Sequence, residues 1–169
     1  FDNGYTWTLS NDDKIIFDDK LNSKQGIAPE VLFLEKCITW LRPGGVLGIV
    51  MAKGQLDNRE ALSIRRWVLE KTQLLSVVNL HGDTFEPFCG SKASVIFLKK
   101  NEKKEPKKNY DVFMAISNKV GQTSRGEPIF KRDSEGKPIV VSGGFVIDQD
   151  LGDIAKDFDA FKNGKLEES

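Results

Sequence analysis

Pro43-Gly44-Gly45 is followed by Val46-Leu47-Gly48-Ile49-Val50-Met51-Ala52, seven residues that are apolar or small at every position. A strand that is apolar at odd and even positions alike needs cover on both faces, so the segment predicts a buried strand of the parallel type. The stretch around it, Ile27 to Lys100, reads helix, strand, helix, strand, long loop, strand. Pro29 suits the first turn of a helix, where its missing N–H leaves no bond unmade. Val31, Leu34, Ile38 and Leu41 then recur at helical spacing, with Phe33, Cys37 and Trp40 beside them. The helix stops at Pro43-Gly44-Gly45.

A second unit of the same kind follows. Asp57 to Glu60 has the spacing of a capping box, and Ala61, Ile64, Trp67 and Val68 continue at helical period to Lys71. Trp40 and Trp67 are read as core. Leu74 to Leu80 is the next strand, predicted as a parallel neighbour of Val46 to Ala52 through a right-handed crossover. The third strand, Ala93 to Leu98, comes after a loop broken by Pro87 and Gly90, too short for a crossover helix, and is predicted antiparallel. The loops Lys53 to Asn58 and His81 to Lys92 then share the sheet edge outside the carboxyl ends of the parallel strands, where open α/β sheets bind ligands.

At 169 residues the chain suits one core of ordinary size. Lys plus Arg equals Asp plus Glu at 25 each, which excludes a global basic field, so any nucleic-acid contact depends on local patches. Cys37 and Cys89 have no Cys-x-x-Cys or His partner at metal spacing and read as free thiols of a cytoplasmic protein. No apolar run is long enough to cross a membrane. Lys99 to Lys108 holds six lysines in ten residues, interrupted by Glu102, Glu105 and Pro106, and reads as a solvated turn, with contact to DNA phosphates as the alternative. Tyr110 to Ile116 alternates as a strand and is expected to pair back on Val95 to Leu98 as a hairpin. From Ser117 to Gly144, glycine and proline punctuate short segments as in an extended β-hairpin, and Val146 to Phe161 reads as a short amphipathic helix.

These residues carry a resemblance. A buried parallel sheet finished by an antiparallel strand, behind Leu41-Arg42-Pro43-Gly44-Gly45, resembles the second half of an S-adenosylmethionine-dependent methyltransferase. More narrowly, Pro29 to Lys36, Gly54-Gln55-Leu56-Asp57-Asn58, Thr84-Phe85-Glu86-Pro87-Phe88 and Ser91 to Leu98 resemble the N6-adenine DNA methylase (M) subunit of type I restriction–modification systems. The similarity continues through Val120-Gly121 and Arg125 to Asp133. The expected fold class is α/β: a partial Rossmann-like methyltransferase sheet, made of its last parallel strands and the antiparallel final strand, with a β-hairpin extension. Residues 1–26 are expected to form a polar arm, 27–118 the C-terminal half of the methyltransferase domain, and 119–169 the extension.

The resemblance implies methyl transfer from S-adenosylmethionine to adenine in DNA, with DNA and the specificity and restriction subunits of a type I system as partners. It also implies a glycine-rich cofactor turn and an Asn-Pro-Pro-Phe-type tetrapeptide, neither of which is in this sequence, where all six prolines are isolated. The chain alone is therefore expected to be inactive and to bind no cofactor, and the sequence assigns no catalytic residue, no cofactor-binding residue and no metal ligand. An aromatic residue just before the final strand stacks on the flipped base in the family. Phe88 holds that place, with Phe85 as the alternative. Lys53 and Lys92 are candidate DNA contacts, Gly54 and Asn58 are read as shaping their loop, and His81 as a strand-end hydrogen-bonding residue. The competing reading is a non-catalytic interaction module that completes its sheet with another chain or a second copy through an exposed edge.

Overall fold

The computed structural model describes residues 29–102 and 109–164, apart from the Glu60 side chain. The expected arm at 1–26 lies outside the described residues, as does the centre of the lysine run. The elements are α1 (Pro29–Trp40), β1 (Val46–Ala52), α2 (Lys53–Asp57), a 3-10 turn (Arg59–Ala61), α3 (Leu62–Lys71), β2 (Thr72–Asn79), β3 (Ala93–Lys100), β4 (Phe113–Ile116), β5 (Val140–Val141), β6 (Gly144–Phe145) and α4 (Leu151–Lys162). The main sheet has the order β1-β3-β2-β4, with β5 and β6 as a separate pair. The chain divides into two compact units, Phe1–Leu75 with Ile96–Asp111, and Ser76–Val95 with Val112–Ser169.

In the first unit, α1 buries Val31, Leu34, Glu35 and Ile38. The residues between, Phe33 and Trp40, turn outward by the helical period and are 68% and 75% exposed, so Trp40 is not a core residue. Trp67 is buried as expected. The helix ends at Arg42 to Gly45, where Gly44 has φ +76° and the Gly45 N–H donates to the Arg42 carbonyl at 2.9 Å. A Cβ on Gly45 would lie 2.9 Å from that same carbonyl oxygen, so both glycines have a reason to be there. The Gly44 N–H then bonds the Lys100 carbonyl, and the Lys100 N–H bonds Gly45, which joins the start of β1 to the end of β3 in antiparallel sense. Beyond β3, the Asn101 N–H bonds the Lys71 carbonyl, just ahead of β2, so β3 opposes β2 as well.

Three expectations are corrected here. β1 and β2 are not neighbours, because β3 lies between them. A helical crossover is long enough to skip one strand position of about 5 Å, and the short loop after β2 returns β3 directly onto β2's edge. β1 is also not covered on both faces: among the described residues it ends the sheet, and Val46 and Val50 are 55% and 50% exposed while Met51 is buried. α3 also does not start at Asp57: it begins at Leu62 with Ala61 as its N-cap and no side-chain bond there, and the Glu60 side chain of the expected capping box lies outside the described residues. The chain instead makes the short helix α2 and a 3-10 turn.

In the second unit, the Leu80 N–H bonds the Ala93 carbonyl and closes the loop between β2 and β3. β4 pairs parallel with β2, Ser76 opposite Phe113 through Asn79 opposite Ile116. The expected hairpin of β4 on β3 is not formed: both edges of β3 are occupied, which leaves β2's outer edge for β4. Phe113 is the inward residue of β4 and meets the rings of Phe158 and Phe161 from α4 at 5.3 and 5.7 Å between centroids. Residues 119–150 form a hairpin-like extension. It is stitched by the pairs Val120–Gln149, Gln122–Pro128, Phe130–Ile147 and Arg132–Pro138, and tipped by β5 and β6 around Ser142-Gly143, both at positive φ. The amphipathic helix starts at Leu151, later than its expected start at Val146, because Ile147 and Gln149 are held in these pairs.

Candidate nucleic-acid interface

The loop from His81 to Lys92 is a succession of tight turns. The Thr84 N–H and Oγ1–H both donate to the His81 carbonyl (3.1 and 2.7 Å), and the Glu86 N–H donates to Asp83 (3.1 Å). The N–H groups of Phe88 and Cys89 converge on the Phe85 carbonyl at 3.0 and 2.9 Å. His81 Nδ1 accepts the Asp83 N–H at 3.2 Å, so this ring works at the strand end. The Glu86-Pro87 peptide is cis. Below the loop, Ser94 Oγ donates to Asn79 Oδ1 at 3.2 Å, tying the first residues of β3 to the end of β2.

The two phenylalanines of this loop differ. Phe88 is 94% exposed, whereas Phe85 is 37% exposed and supplies the carbonyl that closes the turn. The Phe88 ring therefore contributes almost nothing to packing and is open to contact from outside. Lys92 is exposed at the foot of the same loop. The loop is also gripped from the extension: Gln122 Nε2 donates to the carbonyls of Asp83 (3.1 Å) and Glu86 (2.7 Å). Nothing in the sequence around Gln122 pointed to it. Its partners lie 36 and 39 residues away, and a neutral amide carries no compositional signal.

The other predicted residues belong to the first unit and are described there by themselves. Lys53 opens α2 and lies 3.9 Å from Asp57, both exposed. Gly54 is inside α2 with no positive φ, and a Cβ there would meet open space, so no special backbone angle explains it. Asn58 is the C-cap of α2, its N–H bonded to the Gly54 carbonyl at 3.1 Å. The Asn58 carbonyl in turn accepts from Arg65 Nη1 at 2.7 Å.

The model of the family described as N-6 DNA methylase matches residues 3–142. The chain belongs to the N-6 DNA methylase family. Two solved structures give its fold. A chain from a structure of the type I R-M system, concerned with its complex assembly and conformational transition, aligns at 24% identity and TM-score 0.50, over 86% of this chain and 27% of its own. The EcoKI M protein of a type I restriction enzyme aligns at 23% identity and TM-score 0.50, over 59% of this chain and 22% of its own. The chain therefore spans about a quarter of the length of these structures. No curated protein matches it.

Within an N-6 DNA methylase a nucleoside-bearing methyl donor calls for a glycine turn between a strand and the helix after it. Among the described residues the left-handed glycines are 44, 121, 126, 136, 143 and 164. Gly44 joins a helix to a strand, Gly164 follows α4, and the others lie in the extension. The β1 to α2 junction passes through Ala52 at φ −60° and Lys53 with no glycine. Among the described residues no left-handed glycine joins a strand to the helix after it. Among them there is also no cluster of His, Cys, Asp or Glu able to hold a metal ion, and no helix long and apolar enough to cross a membrane.

Proposed function

We propose that this chain is part of an enzyme that methylates the N6 amino group of adenine in DNA, and that its share of the work is to present Phe88 to the target base. The observation that carries the reading is the exposure of Phe88 at 94% on a loop closed by its own backbone bonds. A base taken out of the duplex loses stacking, and an aromatic face replaces it without any sequence-specific bond, worth about 1–3 kcal/mol. Phe85, half-exposed and committed to the turn, is the weaker candidate. Lys92, and Lys53 in its own unit, are read as phosphate contacts that add affinity and salt dependence without reading sequence. Asn58 shapes the turn after α2 by capping it.

S-adenosylmethionine is the methyl donor of the complete enzyme in this reading, held by residues other than those described. The partners are DNA and the specificity and restriction subunits of a type I system, in the cytoplasm. The test is methyl transfer to unmodified bacterial DNA by the assembled methylase carrying Phe88→Ala. A loss of about 10- to 100-fold is expected from the stacking energy. Undiminished transfer would remove Phe88 from the reaction. Calorimetric titration of this chain alone with S-adenosylmethionine should give no heat of binding, and tight binding would overturn the assignment of the donor site elsewhere.

A second reading is favoured by one feature, the end strand β1. It leaves Val46 and Val50 exposed, and Phe33 and Trp40 stand out from α1 in the same unit. An open strand edge with apolar neighbours is a template for another chain or a second copy. Sedimentation across a hundredfold concentration range tests this, and a monomer throughout would count against it.

A further inference from the structure

We propose that Gln122 is a positioning residue that holds the Phe88 loop in its presenting conformation, an inference that rests on reading Phe88 as the base-stacking ring. Its Nε2 group is the one described side-chain donor from the extension that reaches this loop, and it spends both N–H bonds there, on Asp83 at 3.1 Å and Glu86 at 2.7 Å. Those two carbonyls bracket the turn just before Pro87 and Phe88. The Asp83 carbonyl also accepts the Glu86 N–H, so Gln122 braces a turn already closed on itself. One amide side chain thus ties two points of the loop backbone to the extension.

The brace is itself fixed in place. Gln122 pairs with Pro128 across a small hairpin whose turn is closed by Thr123 N–H to Glu127 carbonyl (2.8 Å) and Gly126 N–H to Thr123 carbonyl (2.9 Å). Thr123 Oγ1 accepts from the N–H groups of Arg125 (3.3 Å) and Glu127 (3.2 Å). Gly126, at φ +81°, lets the turn approach the loop so closely that a Cβ would lie 3.0 Å from Pro87 Cδ. The backbone of Gln122 is therefore preset, and its side chain loses little further freedom in making the two bonds. Stacking tolerates little displacement of the ring, so a loop whose ring works in solvent needs such a brace in place of packing.

Gln122→Glu tests this, because it keeps the shape but sets acceptors against two carbonyl oxygens. Gln122→Lys is the conservative rescue, since an ammonium can donate to both. Amide hydrogen exchange on the chain should show residues 83–89 exchanging several-fold to about tenfold faster in Gln122→Glu, with β3 unchanged and Gln122→Lys near wild type. Unchanged exchange, or equal acceleration in both variants, overturns the proposal. In the assembled methylase, Gln122→Glu should lower kcat several-fold while leaving KM for DNA near wild type, and should cost nothing further in a Phe88→Ala background. Equal losses in both backgrounds would show that Gln122 does not act through Phe88. If Phe88→Ala itself changes nothing, the stacking reading has failed, and hydrogen exchange alone still decides whether Gln122 holds the loop.

Discussion

The Lys100 ammonium lies 2.7 Å from the carbonyl oxygen of Leu41 and also donates to Ile38 (2.9 Å) and Thr39 (3.1 Å), so one side chain closes the C-terminal end of α1. The helix has no basic residue in its own last turn, and the last carbonyls of a helix have no intrahelical partner. A cation at this end also meets the negative pole of the helix. Lys100→Met removes the charge and all three bonds while keeping most of the aliphatic stem. We expect a loss of about 1–2 kcal/mol in urea unfolding, since net hydrogen-bond and helix-end contributions are each of that order. A change under a few tenths of a kcal/mol would mean that water replaces the ammonium without cost.

Asp150 plays the matching part in the second unit. Its carboxylate accepts from Ser117 Oγ (2.6 Å) and from the N–H groups of Asn118 (2.6 Å) and Lys119 (3.1 Å), where the chain leaves β4 for the extension. Desolvation is the largest single influence and opposes the charge, but these donors together outweigh it and hold the carboxyl below its ordinary value. A carboxyl depressed in the folded state stabilises above its unfolded pKa, about 3.9, and that contribution is lost as pH falls through the folded value. Asp150→Asn should therefore lower Tm at neutral pH, and the gap to wild type should close as pH falls below about 4. A gap constant with pH would assign the effect to shape and not to charge.

Glu35 is opposite in sign. It is 3% exposed among the apolar residues of α1, and burial raises its pKa, with Lys36 opposing. A carboxyl raised in the folded state contributes fully below its unfolded pKa and loses that contribution as pH rises through the folded value. Glu35→Gln removes the penalty of a buried charge, so Tm at neutral pH should be equal to or above wild type. The advantage should disappear in acid, where both side chains are neutral. A lower Tm at pH 7 would show that the carboxylate has a use that the sequence and fold do not reveal.

The existence of most helices and strands was legible because it rests on local patterns: apolar spacing in α1 and α3, the Pro43-Gly44-Gly45 stop, and the turn residues of the extension; α2, expected as a loop from Lys53 to Asn58, was not. Strand order was not legible. A strand records which of its faces are apolar but not which neighbour it bonds, and β3's place between β1 and β2 follows from loop length and edge availability. The reading of Val46 to Ala52 as buried on both faces failed for a related reason, since an apolar residue states what it tolerates and not what covers it. Phe88 came from its place before β3 and the family resemblance. Lys100, Asp150 and Gln122 were illegible because each works mainly through backbone carbonyls or N–H groups, which nearly every residue has and no sequence pattern marks, and the one side-chain partner, Ser117 of Asp150, lies 33 residues away.

Phe88 and Phe113 separate function from stability by substitution of the same kind. Phe113 is 8% exposed against Phe158 and Phe161, whereas Phe88 is 94% exposed. Truncating a buried phenylalanine costs about 3–5 kcal/mol through lost transfer energy and the cavity left behind. Phe113→Ala should therefore lower stability by that order and loosen α4, seen as faster hydrogen exchange in residues 151–162. Phe88→Ala removes a ring that buries almost nothing and should leave the unfolding midpoint within about 0.5 kcal/mol of wild type. Any loss of methyl transfer in Phe88→Ala then belongs to the ring's contact with substrate. A destabilised Phe88→Ala would instead mean that the ring packs onto protein in solution, and the stacking assignment would fall with it.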